Sequence, residues 1–294
     1  MFKVKKAIFV VAGFGTRFLP ITKSVPKEMM PIIDKPIIQY LVEEAVQAGI
    51  EDIIFVTGRG KNAIENHFDK SYELESTLVE KGKHDLLSNV EKISKLAEFA
   101  YVRQPVQHGD GHALLCAKSF IDLDEPVLVV FPDYIMPSSN QTLDKLIKFY
   151  GEFGKPVIAT DFVPQEKVSK YGIVDYDSSS EGKEIVKVNG FVEKPPIDQA
   201  PSNMINNGYA VIDKTVWNHL EQAESTAGDG EIRVADAFVK MTNAGQELYA
   251  LRAEKSGYDC GTPVGFLKAT VDFALNREDL KQEFTQFLEN RICQ

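Results

Sequence analysis

Ala7-Ile8-Phe9-Val10-Val11 is an unbroken apolar run that passes through Ala12 into Gly13-Phe14-Gly15-Thr16. A run this short, with no polar alternation, reads as a strand buried on both faces. Such a strand needs a layer of helices on each side, which points to an α/β fold. The turn that follows is suited to anions. Glycines let backbone N–H groups come close because no Cβ intervenes. Arg17, Lys23 and Lys27 then follow in a loop punctuated by Pro20, Pro26 and Pro31. Fixed cations there can neutralise charge developing on phosphate oxygens. The glycine spacing is neither of the common phosphate fingerprints. No Lys-Ser/Thr pair follows Gly15, and Phe18 stands where a third glycine would be needed.

The same alternation continues downstream. Largely apolar stretches at 52–57, 99–103, 126–131 and 157–161 read as further strands. Helical patterns fall between them, over 36–48 with Asp34 as cap and Gly49 as stop, 62–68, 73–81, 86–97, 111–117 and 143–150. The expectation is a Rossmann-like, mixed but mostly parallel sheet flanked by helices. Ligands then bind beyond the carboxyl ends of the strands. The glycine turn, Gln104 and Asp133 each follow a strand and converge on that edge. After about Lys170 the pattern shifts to a hairpin, 171–176 with 185–192, then a polar loop at 199–207 and a strand at 209–212. Helices are expected at 214–223, 231–242, 263–276 and 279–290, with a strand at 247–251. This gives a smaller β subregion beside the main sheet.

A chain of 294 residues would by length alone suggest two domains of ~150. It carries no internal repeat and no linker-like tract. The expectation is one domain over 1–294: a first part (1–170), a second part (171–276) and a C-terminal helix (277–294). Its net charge of −10 argues against a nucleic-acid partner. No stretch has the ~20 apolar residues of a membrane span. The basic start and short apolar run at the N-terminus lead into a glycine turn rather than a cleavage site, so a cytoplasmic strand-first protein is expected. Cys116, Cys260 and Cys293 are widely spaced and are read as reduced thiols, with Cys260 a buried small hydrophobe. His108 and His112, four apart across a glycine turn, lack a zinc-helix pattern; His112 reads as a packing or hydrogen-bonding residue.

The string GFGTRFLPITKSVPKEMMPIIDKPIIQY resembles the N-terminal signature of the sugar-1-phosphate nucleotidylyltransferases. Within that family it is most similar to the bacterial branch acting on UTP and glucose 1-phosphate. The likeness extends from about Lys6 to Ala269 with motifs in family order. It implies that Ala12, Gly13, Gly15, Thr16, Gln104, Gly109 and Gly111 form the nucleotide site. Gln104 would read the imide edge of the base, offering a donor and an acceptor. Gly190-Phe191-Val192-Glu193-Lys194, with Gly172 and Gly208, resembles the sugar side. Glu193 would accept from sugar hydroxyls, and Lys194 would take the sugar phosphate. Asp133 and Asp259 would be paired ligands for Mg²⁺, which prefers one or two carboxylates completed by phosphates and water. The chain departs from the family's Gly-Asp-Asp string by carrying Pro132 and Tyr134 around Asp133. The segment 228–236 also resembles a family helix, read as scaffold.

The resemblance implies transfer of a uridylyl group from UTP to glucose 1-phosphate, giving UDP-glucose and pyrophosphate. Arg17, Lys27, Lys194 and Asp133 are the expected catalytic residues, Mg²⁺ the cofactor, and a homodimer or homotetramer the assembly. Two alternatives stand beside it. One is the same chemistry with another nucleotide or sugar, such as dTTP, which shares the imide edge. The other is a non-catalytic paralogue that binds sugar nucleotide, motivated by Pro132 and Tyr134.

Overall fold

The computed structural model describes residues 3–137, 141–225 and 230–292. In the first part, β1 (Lys6–Val10) leads through three short 3-10 turns to the two-residue strands β2 (Pro31–Ile32) and β3 (Lys35–Pro36) and helix α1 (Ile37–Gln47). Then come β4 (Asp52–Thr57), α2 (Asn62–Phe68), α3 (Tyr72–Glu80), α4 (His84–Ile93), β5 (Glu98–Arg103) and α5 (Asp110–Ala117). β6 (Val127–Val130), β7 (Tyr134–Ile135), α6 (Thr142–Phe153) and β8 (Val157–Phe162) follow. The second part holds β9 (Gly172–Tyr176), β10 (Ile185–Glu193), β11 (Met204–Ile212), α7 (Lys214–Leu220), α8 (Val234–Asn243) and β12 (Tyr249–Arg252). The chain continues through β13 (Tyr258–Asp259), α9 (Pro263–Leu275) and α10 (Glu278–Ile292).

Nine strands form one mixed sheet in the order β5-β4-β1-β6-β11-β8-β12-β10-β9. The first four run parallel. β11 enters antiparallel between β6 and β8, and β12 is parallel to β8. Parallel pairing is therefore concentrated where largely apolar runs were found. Alternate residues of those runs feed opposite faces. Phe9, Phe55 and Leu128 pack with Leu41, Leu146 and Tyr209 on one side. Ile8, Val56 and Val129 pack with Leu114, Trp217 and Phe238 on the other. Each such side chain contributes about 1.5–3 kcal/mol of burial, so both faces need their helices.

Several local expectations change. Asp34 does not cap α1, whose preceding residue is Pro36 with no side-chain cap. Asp34 instead accepts from Arg277 Nη1 at 2.5 Å, joining the signature segment to the start of α10. Residues 204–207, read as loop, extend β11, because Met204 and Ile205 pair with Phe162 and Asp161 of β8. Tertiary pairing outweighs their Asn-rich composition. α8 begins at Val234 rather than 231, because Ile232 is drawn into backbone bonds with His108 and Gly111. Cys116 and Cys260 are free; Cys293, Gly228 and Asp229 lie outside the described residues.

Candidate active site

The carboxyl ends of β1, β5 and β6 open onto a cleft of about 710 Å³, closed on its far side by β11 and the segments around Tyr171, Lys194 and Asp259. Ala12 and Gly13 form its floor, with Arg17 and Lys27 beside them. Gln104, Gly109, Asp133, Lys194, Gly208 and Asp259 also line it. These ten expected residues are thus brought together. Gly15, Thr16, Gly111, Gly172 and Glu193 are not in the cleft wall, nor is Lys23, which is exposed on the outer loop. Gly15 shapes the turn: its carbonyl accepts from the Thr22 hydroxyl at 2.8 Å. Gly111 N–H donates to Ile232 O at 2.9 Å, fastening α5 to the segment before α8. Gly172 is covered by the Phe191 ring and stands opposite Glu193 in the β9–β10 pair.

A two-residue ribbon sets the centre of the cleft. β7 and β13 pair antiparallel with Tyr134 opposite Asp259, so Asp133 and Asp259 arrive side by side although distant in sequence. A point at the ideal Cβ position of Gly261 lies 3.0 Å from Asp259 Oδ1, 3.1 Å from Asp133 Oδ2 and 3.2 Å from Arg17 Nη1. Asp259 is held by Tyr171 OH (3.0 Å, to Oδ2) and by the Gly261 N–H (3.0 Å, to Oδ1). Lys27 is ion-paired with the other oxygen of Asp133. Burial works against the Lys27 charge, but Asp133 and Glu28 outweigh it and hold its pKa above the ordinary lysine value. Behind it, Glu28 and Lys61 form a buried pair at 2.7 Å. Burial raises the Glu28 pKa and lowers that of Lys61.

Two carboxylates brought to neighbouring strands, with Arg17 and Lys27 beside them in the cleft, suit a Mg²⁺ ion whose remaining ligands are substrate phosphates and water. Among the described residues no cluster of three or more His, Cys, Asp or Glu is arranged as a metal site. An all-protein cage is therefore not what this donor set makes. Cys260 is buried between the two carboxylates' segments, and burial with Asp259 and Asp133 pushes its thiol up to about 12. It is held as the thiol rather than the nucleophilic thiolate.

Tyr134 has a structural partner that no local pattern signals. Its hydroxyl donates to Asp161 Oδ2 at 2.6 Å, and Asp161 also accepts from Gly257 N–H (3.1 Å), Ser256 Oγ (3.0 Å) and Phe162 N–H (2.7 Å). The Tyr134 ring lies against Gly257, where any Cβ would also come within 2.8 Å of Ile135 O. The residue at the expected second acid therefore braces the ribbon.

At the base end the Gln104 amide nitrogen donates to Gly109 O at 2.9 Å and stands 3.0 Å from His112 Nδ1. Its donor half is thus engaged within the protein, which differs from the expectation that both halves face a base. Gly109 has φ +94°, and a Cβ there would run into the Ile232 carbonyl. His108 and His112 meet ring edge to face at 5.4 Å between centroids, and burial lowers the His112 pKa. Lining residues that sequence reading missed include Gln107, whose Nε2 donates to Ala12 O at 2.6 Å, and Asp110, which accepts from Val234 N–H at 2.8 Å. Asn206 and Asn207 also line the cleft. At the sugar end Lys194 takes a left-handed backbone (φ +46°) that a non-glycine residue adopts only at a cost of about 1–3 kcal/mol. Its N–H donates to Tyr171 O, and its side chain, half exposed, lies 3.0 Å from Glu193.

This is the architecture and charge layout of a phosphoryl-transfer site on a nucleotide-binding sheet. Residues 6–275 match the nucleotidyl transferase family model, and the chain belongs to that family. Among its relatives, UTP–glucose-1-phosphate uridylyltransferase 1 of Staphylococcus saprophyticus is 47% identical, covering 98% of this chain and 99% of the relative. The UTP–glucose-1-phosphate uridylyltransferase of Bacillus subtilis is 46% identical over 99% of this chain and 98% of its own. A UTP-bound UGPase from Acinetobacter baumannii superposes with a TM-score of 0.88 at 40% identity, covering 97% and 98% of the two chains. A UDP-glucose pyrophosphorylase complexed with UDP-glucose gives 0.82 at 34% identity, covering 93% and 100%.

Proposed function

We propose that this chain transfers the uridylyl group of UTP to glucose 1-phosphate, forming UDP-glucose and releasing pyrophosphate. The observation that carries the reading is the gathering of Asp133, Asp259, Arg17 and Lys27 in one cleft, in a chain whose full-length relatives bear that activity's name. Those relatives favour UTP over the dTTP alternative. The retained cations and carboxylates favour an enzyme over a non-catalytic paralogue.

A phosphate oxygen of glucose 1-phosphate forms the new bond to the α-phosphorus, and the bond to the β-phosphate oxygen breaks on the opposite side. Pyrophosphate departs with that electron pair. Both reactants are anionic, so the protein's work is alignment and charge neutralisation. Lys27 and Arg17 face the triphosphate and the departing pyrophosphate. Lys194 binds the incoming phosphate; Glu193, outside the cleft wall but 3.0 Å from the Lys194 ammonium, is the acceptor proposed for sugar hydroxyls once the sugar phosphate is in place. Asp133 and Asp259 would hold Mg²⁺, which would supply Lewis-acid stabilisation of phosphate oxygens. Residues 1–170 then serve the nucleotide and 171–276 the sugar within one domain. Among the described residues no helix is long and apolar enough to cross a membrane. A cytoplasmic homodimer or homotetramer is the proposed state.

The test is pyrophosphate release over a matrix of nucleotides and sugar 1-phosphates, with and without Mg²⁺. The pair UTP and glucose 1-phosphate is expected to give the highest kcat/KM, and only with the metal. Background release with every pair, while UDP-glucose still binds, would overturn the reading.

A further inference from the structure

Two asparagines stand side by side on β11, and the fold uses them differently. Asn206 Oδ1 accepts from the Gly208 N–H at 3.0 Å. Asn207 is 4% exposed and lines the cleft, yet neither its amide oxygen nor its amide nitrogen has a hydrogen-bond partner in the protein. A buried amide with both ends unmet is unfavourable, and native chains seldom leave one so. The neighbouring Asn203, by contrast, donates to Val163 O at 3.0 Å. Asn207 thus looks like a group whose partners arrive with a ligand.

Its place in the sheet says which part of the ligand. β11 lies four positions from β5, the strand that ends at Gln104. At about 4.8 Å per strand that is roughly 19 Å from the base end. Two residues before Asn207, Ile205 pairs with Ile173 of β9, whose neighbour Gly172 stands opposite Glu193. Asn207 therefore belongs to the wall shared with Tyr171 and Lys194. Phe131 and Ile205, also in that wall, are apolar, Tyr171 is engaged with Asp259, and Lys194 is assigned to the sugar phosphate. A primary amide adds a neutral donor and an acceptor suited to hydroxyls.

We propose that Asn207 is a specificity-determining residue that reads sugar hydroxyls of the sugar 1-phosphate, donating through Nδ2 to one hydroxyl oxygen and accepting at Oδ1 from another. This rests on the reading of the cleft as a sugar-1-phosphate transferase site.

The test is Asn207→Leu, an apolar replacement with the same heavy-atom branching. The expected result is a fall in kcat/KM for glucose 1-phosphate of about 10- to 100-fold, with KM for UTP unchanged. Single-deoxy glucose 1-phosphates complete the cycle. The analogue lacking a hydroxyl that Asn207 reads should lose a similar factor with the wild-type chain and lose much less on the further change to Leu. The variant should melt no lower than the wild type, since an orphaned amide has been replaced by an apolar side chain. An equal fall with every deoxy analogue, a change confined to UTP, or a melting point several degrees lower would overturn the proposal. Calorimetry with UDP-glucose separates it from the activity itself. A wild type that binds UDP-glucose but releases no pyrophosphate refutes the transferase reading. Equal UDP-glucose affinity in wild type and Asn207→Leu refutes the role of Asn207.

Discussion

Tyr134→Phe removes one hydroxyl and leaves the ring in place over Gly257. The lost bond is short, 2.6 Å to a carboxylate oxygen of Asp161, in the range of charge-assisted O–H···O⁻ bonds. Such bonds to charged groups contribute about 1.5–3 kcal/mol. Asp161 keeps its three other donors, Phe162 N–H, Ser256 Oγ and Gly257 N–H. Its charge is therefore not orphaned, and the loss should stay near ~2 kcal/mol rather than the ~3–5 of a broken buried ion pair. At about 2–4 °C per kcal/mol for domains of roughly 150–250 residues, the melting temperature should drop by about 4–8 °C. Urea unfolding should show a lower midpoint with an unchanged slope. Asp133 precedes Tyr134, and Asp259 is its register partner. The Mg²⁺ concentration for half-maximal rate should therefore rise several-fold while KM for UTP holds. A stability loss below ~0.5 kcal/mol, or a drop in rate with unchanged Mg²⁺ dependence, would refute the view that this phenol braces the carboxylate ribbon.

Lys194→Ala should cut kcat/KM for glucose 1-phosphate on the order of a hundredfold and leave KM for UTP within about twofold; intact turnover would remove Lys194 from the site. Gly109→Ala forces a Cβ into the Ile232 carbonyl at φ +94°, and should destabilise by about 2 kcal/mol or more and weaken nucleotide binding, measurable by thermal melting with and without UTP. Asp110 is half-buried, and burial, with Glu193 and Asp236 nearby, lifts its pKa from 3.8 to about 6. The folded state then binds this proton more tightly than the unfolded chain. The associated stability is full below pH ~4 and lost as pH rises through about 6. Asp110→Asn, which can still accept from Val234 N–H, should gain stability over the wild type at pH 7–8 but not at pH 4. An equal gain at both values would refute this.

Much of the nucleotide half was legible because its signals are local. An unbroken apolar run, a glycine turn and a cation a few residues later are contiguous, so β1, Gly13, Arg17 and Lys27 could be placed together from periodicity and turn chemistry. The strand ends at Gln104 and Asp133 followed from the rule that parallel strands present their carboxyl ends on one edge. The sugar half was less legible. Residues 204–207 look like a polar loop, and only pairing with β8 makes them strand. The helix expected from 231 begins later because Ile232 bonds to the loop after β5, a contact across more than a hundred residues.

The order of apolar runs and breakers in the chain was enough to specify a sheet covered on both faces, a phosphate-friendly turn at its edge and the cations beside it. Each of those rests on neighbours within a turn or a strand length. Tertiary structure alone decided the rest: that Asp133 and Asp259 share a two-residue ribbon, that Tyr134 answers Asp161, and that Asn207 is left without a partner in the cleft. A two-residue strand has no periodicity to read, and whether a buried amide is satisfied depends on atoms brought in from distant segments.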